Sequence, residues 1–313
     1  MIFSGVYVPL ITPFDAAGAV AVDALEALAH DTLAAGAAGL VALGTTGEPA
    51  SLSAGEQRSV VDVVARVCRE RDATLVVGAN TVEAVAAVRD RAGADAVLSL
   101  VPPFLRPGED GVVAHFTALA AASPVPVIVY HVPYRTGQPL SAATVRRLAA
   151  IPGVAGMKLA AGGIDAATVE LMADPPAGFA VLGGDDAFVS PLLALGAQGG
   201  ILASAHLATD RFAELVLAWR TGDAVRARAL GHSLTGLALA LFAEPNPTVI
   251  KAVLHARGRI PTAAVRLPLL PAAPGSTRAA LAELERPAAP GSAERTRLAT
   301  AVSQAARPGK RSG

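Results

Sequence analysis

Of the 26 basic residues in the chain only three are lysines, Lys158, Lys251 and Lys310, and the others are arginines. A lysine in such a chain marks a place where arginine does not serve. Lys158 sits in the run Val154-Ala155-Gly156-Met157-Lys158-Leu159-Ala160-Ala161, which holds no other charge. An ammonium at the end of an apolar strand is partly desolvated, which favours the neutral amine and creates a nucleophile for carbonyl groups. A guanidinium stays protonated and cannot act this way. The same position also suits a lysine whose stem follows the strand out to water. Lys251 lies in a helical segment, where a solvated or capping role is expected, and Lys310 lies near the C-terminus.

Four other groups have chemistry-bearing types. Tyr130 ends Val127-Ile128-Val129-Tyr130, where a phenol can relay protons or fill a core with its hydroxyl satisfied. Gly44-Thr45-Thr46-Gly47-Glu48 allows a tight turn whose exposed amides and hydroxyls suit a carboxylate or phosphate, or else a plain capped loop. Arg135, in Tyr134-Arg135-Thr136-Gly137, can clamp a carboxylate bidentately or cap its own loop. Asp185 and Asp186 read as a metal or acid/base pair, or as caps of the following helix, which is the expectation adopted. The six histidines show neither H-x-x-x-H nor H-E-x-x-H spacing, so a metal-dependent aldolase is disfavoured.

The elements that must position these groups alternate. Apolar β-type runs occur at Gly5 to Ile11, Leu40 to Leu43, Thr74 to Val77, Ala96 to Leu100, Val127 to Tyr130, Val154 to Lys158, Ala180 to Leu182 and Gly200 to Leu202. Helical segments such as Asp23 to Ala35 and Ser53 to Glu70 join them, and the second opens with a Ser53/Glu56 capping box. Strands joined by helices run parallel, and eight such units predict a (β/α)8 TIM barrel. The alternative open sheet lacks its expected glycine-rich dinucleotide fingerprint after an early strand. Further helices at Asp210 to Arg220, Asp223 to Phe242 and Pro247 to Arg257 follow the barrel. The expected organisation is a barrel over 1–222, a C-terminal helical extension over 223–285 and a disordered tail over 286–313. In a parallel barrel the site lies at the C-terminal ends of the strands, where Lys158, Tyr130 and the glycine-threonine turn all fall.

Composition narrows the function classes. The 313 residues are 52% hydrophobic and 17% charged, with 26 acidic residues balancing the basic ones and a mean hydropathy of +0.47. That supports a large core and, lacking net positive charge, argues against nucleic acid as a partner. Ala187 to Thr209 has no charged residue, yet Pro191, Gly196, Gly199 and Gly200 divide it, so no membrane span is expected. The N-terminal MIFSGVYVPLITPFD reads as a first strand and not as a secretory signal. With Cys68 as the only cysteine, no intrachain disulfide forms, and a cytoplasmic setting is expected.

Taken in order, G-T-T-G-E at 44–48, V-Y-H-V-P-Y-R-T-G at 129–137, G-M-K at 156–158, G-D-D at 184–186 and E-P-N-P at 244–247 resemble one family. It is the pyruvate-dependent class I aldolases that include dihydrodipicolinate synthase and N-acetylneuraminate lyase. The resemblance covers about residues 1–270 by motif order, and R-T-G with E-P-N-P leans to the synthase branch. It implies that Lys158 forms an imine with pyruvate and that no other cofactor or metal is needed. Thr46 and the turn amides, Gly47 included, would hold the pyruvate carboxylate, while Thr45 and Tyr130 relay protons. Arg135 matches the arginine that meets the carboxylate of aspartate semialdehyde, Ile201 lies beside pyruvate, and Gly184 and Asp185 fall at the site entrance. A homotetramer built as a dimer of dimers is implied too.

The chain departs from the synthase pattern in places. Phe104 stands where synthases carry the tyrosine that crosses between subunits, Pro103 replaces another aromatic, and Leu159 replaces a glutamate after the lysine. The loop after the third strand looks shortened, and the histidines tied to lysine feedback are missing from Ala50 to Glu56. The expected activity is 4-hydroxy-tetrahydrodipicolinate synthesis. Alternatives are an aldolase or dehydratase for a 2-keto-3-deoxy sugar acid or other 2-oxo acid, favoured by Phe104 and Leu159, and a pyruvate-binding pseudoenzyme.

Overall fold

The computed structural model describes residues 3–90 and 93–286, so the tail expected beyond Arg286 lies outside the described residues. Strands β1 (Gly5–Pro9), β2 (Gly39–Ala42), β3 (Thr74–Gly78), β4 (Ala96–Leu100), β5 (Val127–His131), β6 (Val154–Leu159), β7 (Ala180–Gly183) and β8 (Gly199–Ile201) close into a barrel in sequence order. Every neighbouring pair is parallel, including β8 with β1. The expected TIM barrel is what forms.

Twelve α-helices accompany it among the described residues: α1 (Val22–Ala34), α2 (Ala54–Glu70), α3 (Val82–Ala86), α4 (Gly108–Ala122), α5 (Pro133–Thr136), α6 (Ala142–Ala149), α7 (Ala166–Ala173), α8 (Val189–Ala194), α9 (Ala205–Arg220), α10 (Ala224–Leu241), α11 (Thr248–Ala256) and α12 (Pro274–Glu285). None of them is long and apolar enough to cross a membrane. Helix α2 starts where its capping box predicts: Ser53 Oγ accepts the Glu56 amide, and Glu56 Oε2 accepts the Ser53 amide at 2.8 Å. Helix α9 begins at Ala205, ahead of the expected Asp210. Its first residues form a separate turn, because Ala208 (φ −148°, ψ 44°) interrupts the helical backbone.

Alternation along the strands sorts side chains into two layers. Tyr7, Val41, Val76, Leu98, Ile128, Leu182 and Ile201 pack together inside the barrel. Their neighbours, including Leu40, Leu75, Val97, Val129, Met157 and Val181, pack in the larger layer with the helices. Truncating a buried leucine of either layer to alanine costs about 2–5 kcal/mol, so the strand frame is stiff where the site needs it.

A histidine fastens the barrel's last seam. His206 is buried, with Nε2 accepting the Ile11 amide at 3.1 Å and Nδ1 within 2.7 Å of the Ala203 carbonyl oxygen. Those partners fix the neutral tautomer that carries its proton on Nδ1. Burial pushes its pKa down from 6.5 to about 4. Between those values the unfolded chain binds a proton that the folded chain refuses, so stability is lost as pH falls through that window. By pH 5 this one ring should subtract about 2 kcal/mol. Ring-nitrogen NMR should find His206 neutral, with Nδ1 protonated, at pH 5, and protonation above pH 6 would contradict the assignment.

Candidate active site

Strand register brings the central groups together. Tyr130 pairs with Lys158, which pairs with Leu182, so all three point to the same side of the sheet, inside the barrel at its C-terminal end. Lys158 is only 5% exposed, and its Nζ lies 4.4 Å from the centre of the Tyr130 ring. The ring face attracts the ammonium without an anion. No ion pair holds Lys158 among the described residues. Ile201, on β8, is fully buried in the same interior cluster as Tyr130.

Gly184, just past β7, is shaped by that lysine. A Cβ there would lie 2.7 Å from Lys158 Cγ and 2.8 Å from Cε. Only a glycine lets the lysine stem run across this backbone.

The turn after β2 is a 3-10 helix, Thr45–Gly47, closed by the Gly47 amide donating to the Gly44 carbonyl at 2.9 Å. Thr45 is exposed and Thr46 is buried, with the Thr46 hydroxyl receiving the Asn246 amide Nδ2 at 2.8 Å. From below, Thr12 Oγ1 donates to the Gly47 carbonyl at 2.8 Å. Glu48 adopts the left-handed conformation (φ 54°) and turns its carboxylate inward, where Oε1 meets Lys251 Nζ at 2.7 Å and Oε2 accepts the Arg266 amide at 2.9 Å.

Lys251 therefore departs from the solvated or capping role expected of it: it is fully buried, and it sits 4.0 Å over the Phe14 ring. Burial pushes its ammonium down and Glu48 pulls it back up. Sequence reasoning missed Asn246, Glu48 and Lys251 as supports of the turn. Their signals were present, two of them inside the quoted motifs and the third in the scarcity of lysine.

The loops after β5 and β7 form the rim. Tyr134 Oη donates to Asp185 Oδ1 at 3.0 Å, and Asp185 Oδ2 accepts the Gly162 amide at 2.6 Å. Asp186 is buried, with Oδ2 accepting the Ser204 amide at 2.5 Å. Burial pushes the Asp186 carboxyl up to about 6, against the Ser204 hydrogen bond and the charge of Lys158. Neither aspartate makes the side-chain helix cap expected of it, because each finds a partner from a neighbouring loop.

Arg135 is exposed on α5, 5.8 Å over the Tyr134 ring, so it stands on the rim and away from the buried lysine. Phe104 is 88% exposed, with φ 67° and its amide bonded to the Thr136 carbonyl at 3.3 Å. Leu159 packs outward in the barrel–helix layer, so its difference from the synthase pattern does not reach the site. Among the described residues no cluster of three histidine, cysteine or acidic side chains is arranged to hold a metal.

A buried lysine without an ion pair among the described residues, beside a tyrosine at the mouth of a parallel barrel, is an arrangement for carbonyl chemistry. The pattern that defines the dihydrodipicolinate synthetase family matches residues 2–285. The chain belongs to that family. The 4-hydroxy-tetrahydrodipicolinate synthase of Neisseria gonorrhoeae is 39% identical over 284 residues, which span 88% of this chain and 97% of that protein. The dihydrodipicolinate synthase of Thermotoga maritima superposes with a TM-score of 0.86 at 28% identity, over 91% of this chain and 98% of that one. The chloride-inhibited enzyme of Acinetobacter baumannii, solved in complex with pyruvate, gives a TM-score of 0.84 at 34% identity, over 90% and 98% of the two chains.

In this member of the dihydrodipicolinate synthetase family, Gly184 offers a direct test of the lysine's placement. Gly184→Ala should push the Lys158 stem off its path and slow covalent labelling of Lys158 by a carbonyl reagent by about tenfold or more, while the melting temperature falls modestly. Unchanged labelling would show that the lysine does not depend on the glycine.

Proposed function

We propose that the protein catalyses the 4-hydroxy-tetrahydrodipicolinate synthase reaction, condensing pyruvate with aspartate semialdehyde through an imine on Lys158. The observation that carries this reading is the buried amine of Lys158, 4.4 Å from the Tyr130 ring and free of any ion pair among the described residues. Relatives of the same family at about this level of similarity are 4-hydroxy-tetrahydrodipicolinate synthases.

In this mechanism the Lys158 amine attacks the ketone carbon of pyruvate, and the carbinolamine loses water to give the imine. Tyr130 and Thr45 pass the protons that this requires. Thr46 and the amides of the turn, Gly47 among them, hold the pyruvate carboxylate, and Ile201 forms an apolar wall beside it. Loss of a proton from the methyl group gives an enamine, whose carbon attacks the aldehyde; the aldehyde oxygen takes up a proton, and the amino group of aspartate semialdehyde then attacks the imine carbon and displaces the Lys158 amine, releasing the cyclic product. Arg135 on the rim receives the carboxylate of that aldehyde. No metal or further cofactor enters these steps.

The exposed Phe104 and Leu105, 88% and 79% accessible, support an assembly in which this loop is covered by another subunit, in a dimer of dimers. A cytoplasmic setting belongs to the same proposal, resting on a single buried cysteine, Cys68, whose thiol is pushed up to about 12 by burial. Sedimentation at micromolar concentration should show a tetramer; a monomer would remove the role given to the Phe104 loop.

Two experiments test the chemistry. Pyruvate with borohydride should add one reduced pyruvyl group at Lys158, located by peptide mass mapping, and Lys158→Arg should abolish it. A label on Lys251, or none, would end the imine reading. Arg135→Ala should lower kcat/KM for the aldehyde roughly 10- to 150-fold, the value of one charged hydrogen bond, while sparing imine formation.

Phe104 favours one second reading, a 2-oxo-acid aldolase for a different aldehyde, because this side chain carries no hydroxyl. Phe104→Tyr should raise aspartate-semialdehyde turnover in a synthase. A fall, together with efficient cleavage of a keto-deoxy acid by the parent protein, would transfer the assignment to that second reading.

A further inference from the structure

The turn that faces pyruvate rests on charge buried far from it in sequence. Glu48 and Lys251 are 203 residues apart, have side chains 3% and 0% exposed, and meet at 2.7 Å. Removing two charges from water is costly, and their attraction offsets this only with good geometry and further hydrogen bonds. Stability alone therefore gives little reason for the pair.

Its geometry suggests another role. Glu48 is the last residue of the turn and is held left-handed, a conformation unfavourable for a non-glycine residue. Each oxygen of its carboxylate has one partner, Lys251 Nζ on Oε1 and the Arg266 amide on Oε2. Lys251 is braced in turn by Phe14, whose ring carries Lys251 Nζ at 4.0 Å and Arg266 Cζ at 4.3 Å. The Arg266 guanidinium is bound to both oxygens of Glu56, at 2.5 and 3.0 Å, in the first turn of α2. The loop that leads into α11 supplies Asn246, whose Nδ2 reaches the Thr46 hydroxyl at 2.8 Å.

Taking the function proposed above as its basis, we infer that Glu48 and Lys251, with Asn246, are positioning residues that hold the Thr46–Gly47 turn in its pyruvate-binding shape. The C-terminal extension thus sets affinity for the first substrate, although Lys251 touches no reacting atom. The turn's amides and the Thr46 hydroxyl must converge on one carboxylate. A displacement of about 1 Å there is enough to cost up to a hundredfold.

The test compares the full-length protein with Lys251→Met and with the double variant Glu48→Gln/Lys251→Met. The single variant strands a buried carboxylate and is expected to lose stability. The double variant removes both charges at similar volume and should melt close to the parent. Two readouts then separate positioning from packing. Hydrogen exchange of the segment 44–48 should accelerate about tenfold or more in the double variant, with β5 and β6 unchanged. The pyruvate concentration that half-saturates borohydride trapping at Lys158 should rise about tenfold, while kcat/KM for the aldehyde at saturating pyruvate moves less than about threefold.

Parental exchange and parental half-saturation in the double variant would overturn the inference, as would equal losses for both substrates. If the parent protein forms no pyruvate adduct, the proposed function fails, and the exchange measurement alone then decides whether the pair holds the turn.

Discussion

An amine enclosed in a barrel mouth without a carboxylate beside it is the constraint around which this molecule is arranged. The interior near Lys158 is built from Tyr130, Leu182, Ile201 and Ala160, and the lysine stem passes over the bare backbone of Gly184. No carboxylate makes an ion pair with Lys158 among the described residues. Its contact is the face of the Tyr130 ring, 4.4 Å from Nζ, a weaker attraction than a buried ion pair gives. Asp186 brings negative charge to the neighbourhood, but the Ser204 amide takes one of its oxygens and burial raises its pKa.

The second buried lysine shows the contrary solution. Lys251 has the partner that Lys158 lacks, and the pair ties the β2 turn to α11 and, through Arg266, to α2. The same residue type thus has two settings on one fold, without an ion pair at Lys158 and with one at Lys251. Thr262 Oγ1 donating to the Phe14 carbonyl at 2.7 Å adds another tie between the segment after α11 and the loop after β1. The helices beyond the barrel are consequently part of the support beneath the site.

The barrel was legible because strands buried on both faces read as short apolar runs, each followed by a helix of crossover length. Lys158 and Tyr130 were legible for the same reason: a polar group ending such a run falls at the barrel mouth. Lys251 was misread because one charge in a helix suggests a wet face. Yet Thr248, Val249, Ile250, Ala252, Val253 and Leu254 are all buried, and a helix apolar on every side leaves no wet face for a lysine to occupy. Asp185 and Asp186 were misread because a local capping pattern says nothing of Gly162 and Ser204, which come from other loops. The weight given to Leu159 failed on parity: it is adjacent to the lysine in sequence and so faces the opposite side of the sheet.

That parity also divides the site into a floor and a rim with different freedom to vary. Lys158, Tyr130 and Thr46 stand on strands or on the braced turn, where neighbours on both sides fix their positions. The rim residues stand on the short helix α5 and the loop after β4, where Arg135, Tyr134 and Phe104 are exposed and lean on one another or on single hydrogen bonds. On the function proposed above, a substitution on the rim changes which carbonyl compound is received and leaves the amine where it was. The chain's departures from the synthase pattern follow this division: Phe104 and Pro103 belong to the rim loop, and Leu159 lies outside the barrel interior. Phe104 is exposed and Leu159 packs away from the interior cluster of Tyr130 and Ile201, so on the function proposed above these departures bear on the partner received and leave the surroundings of Lys158 as they were.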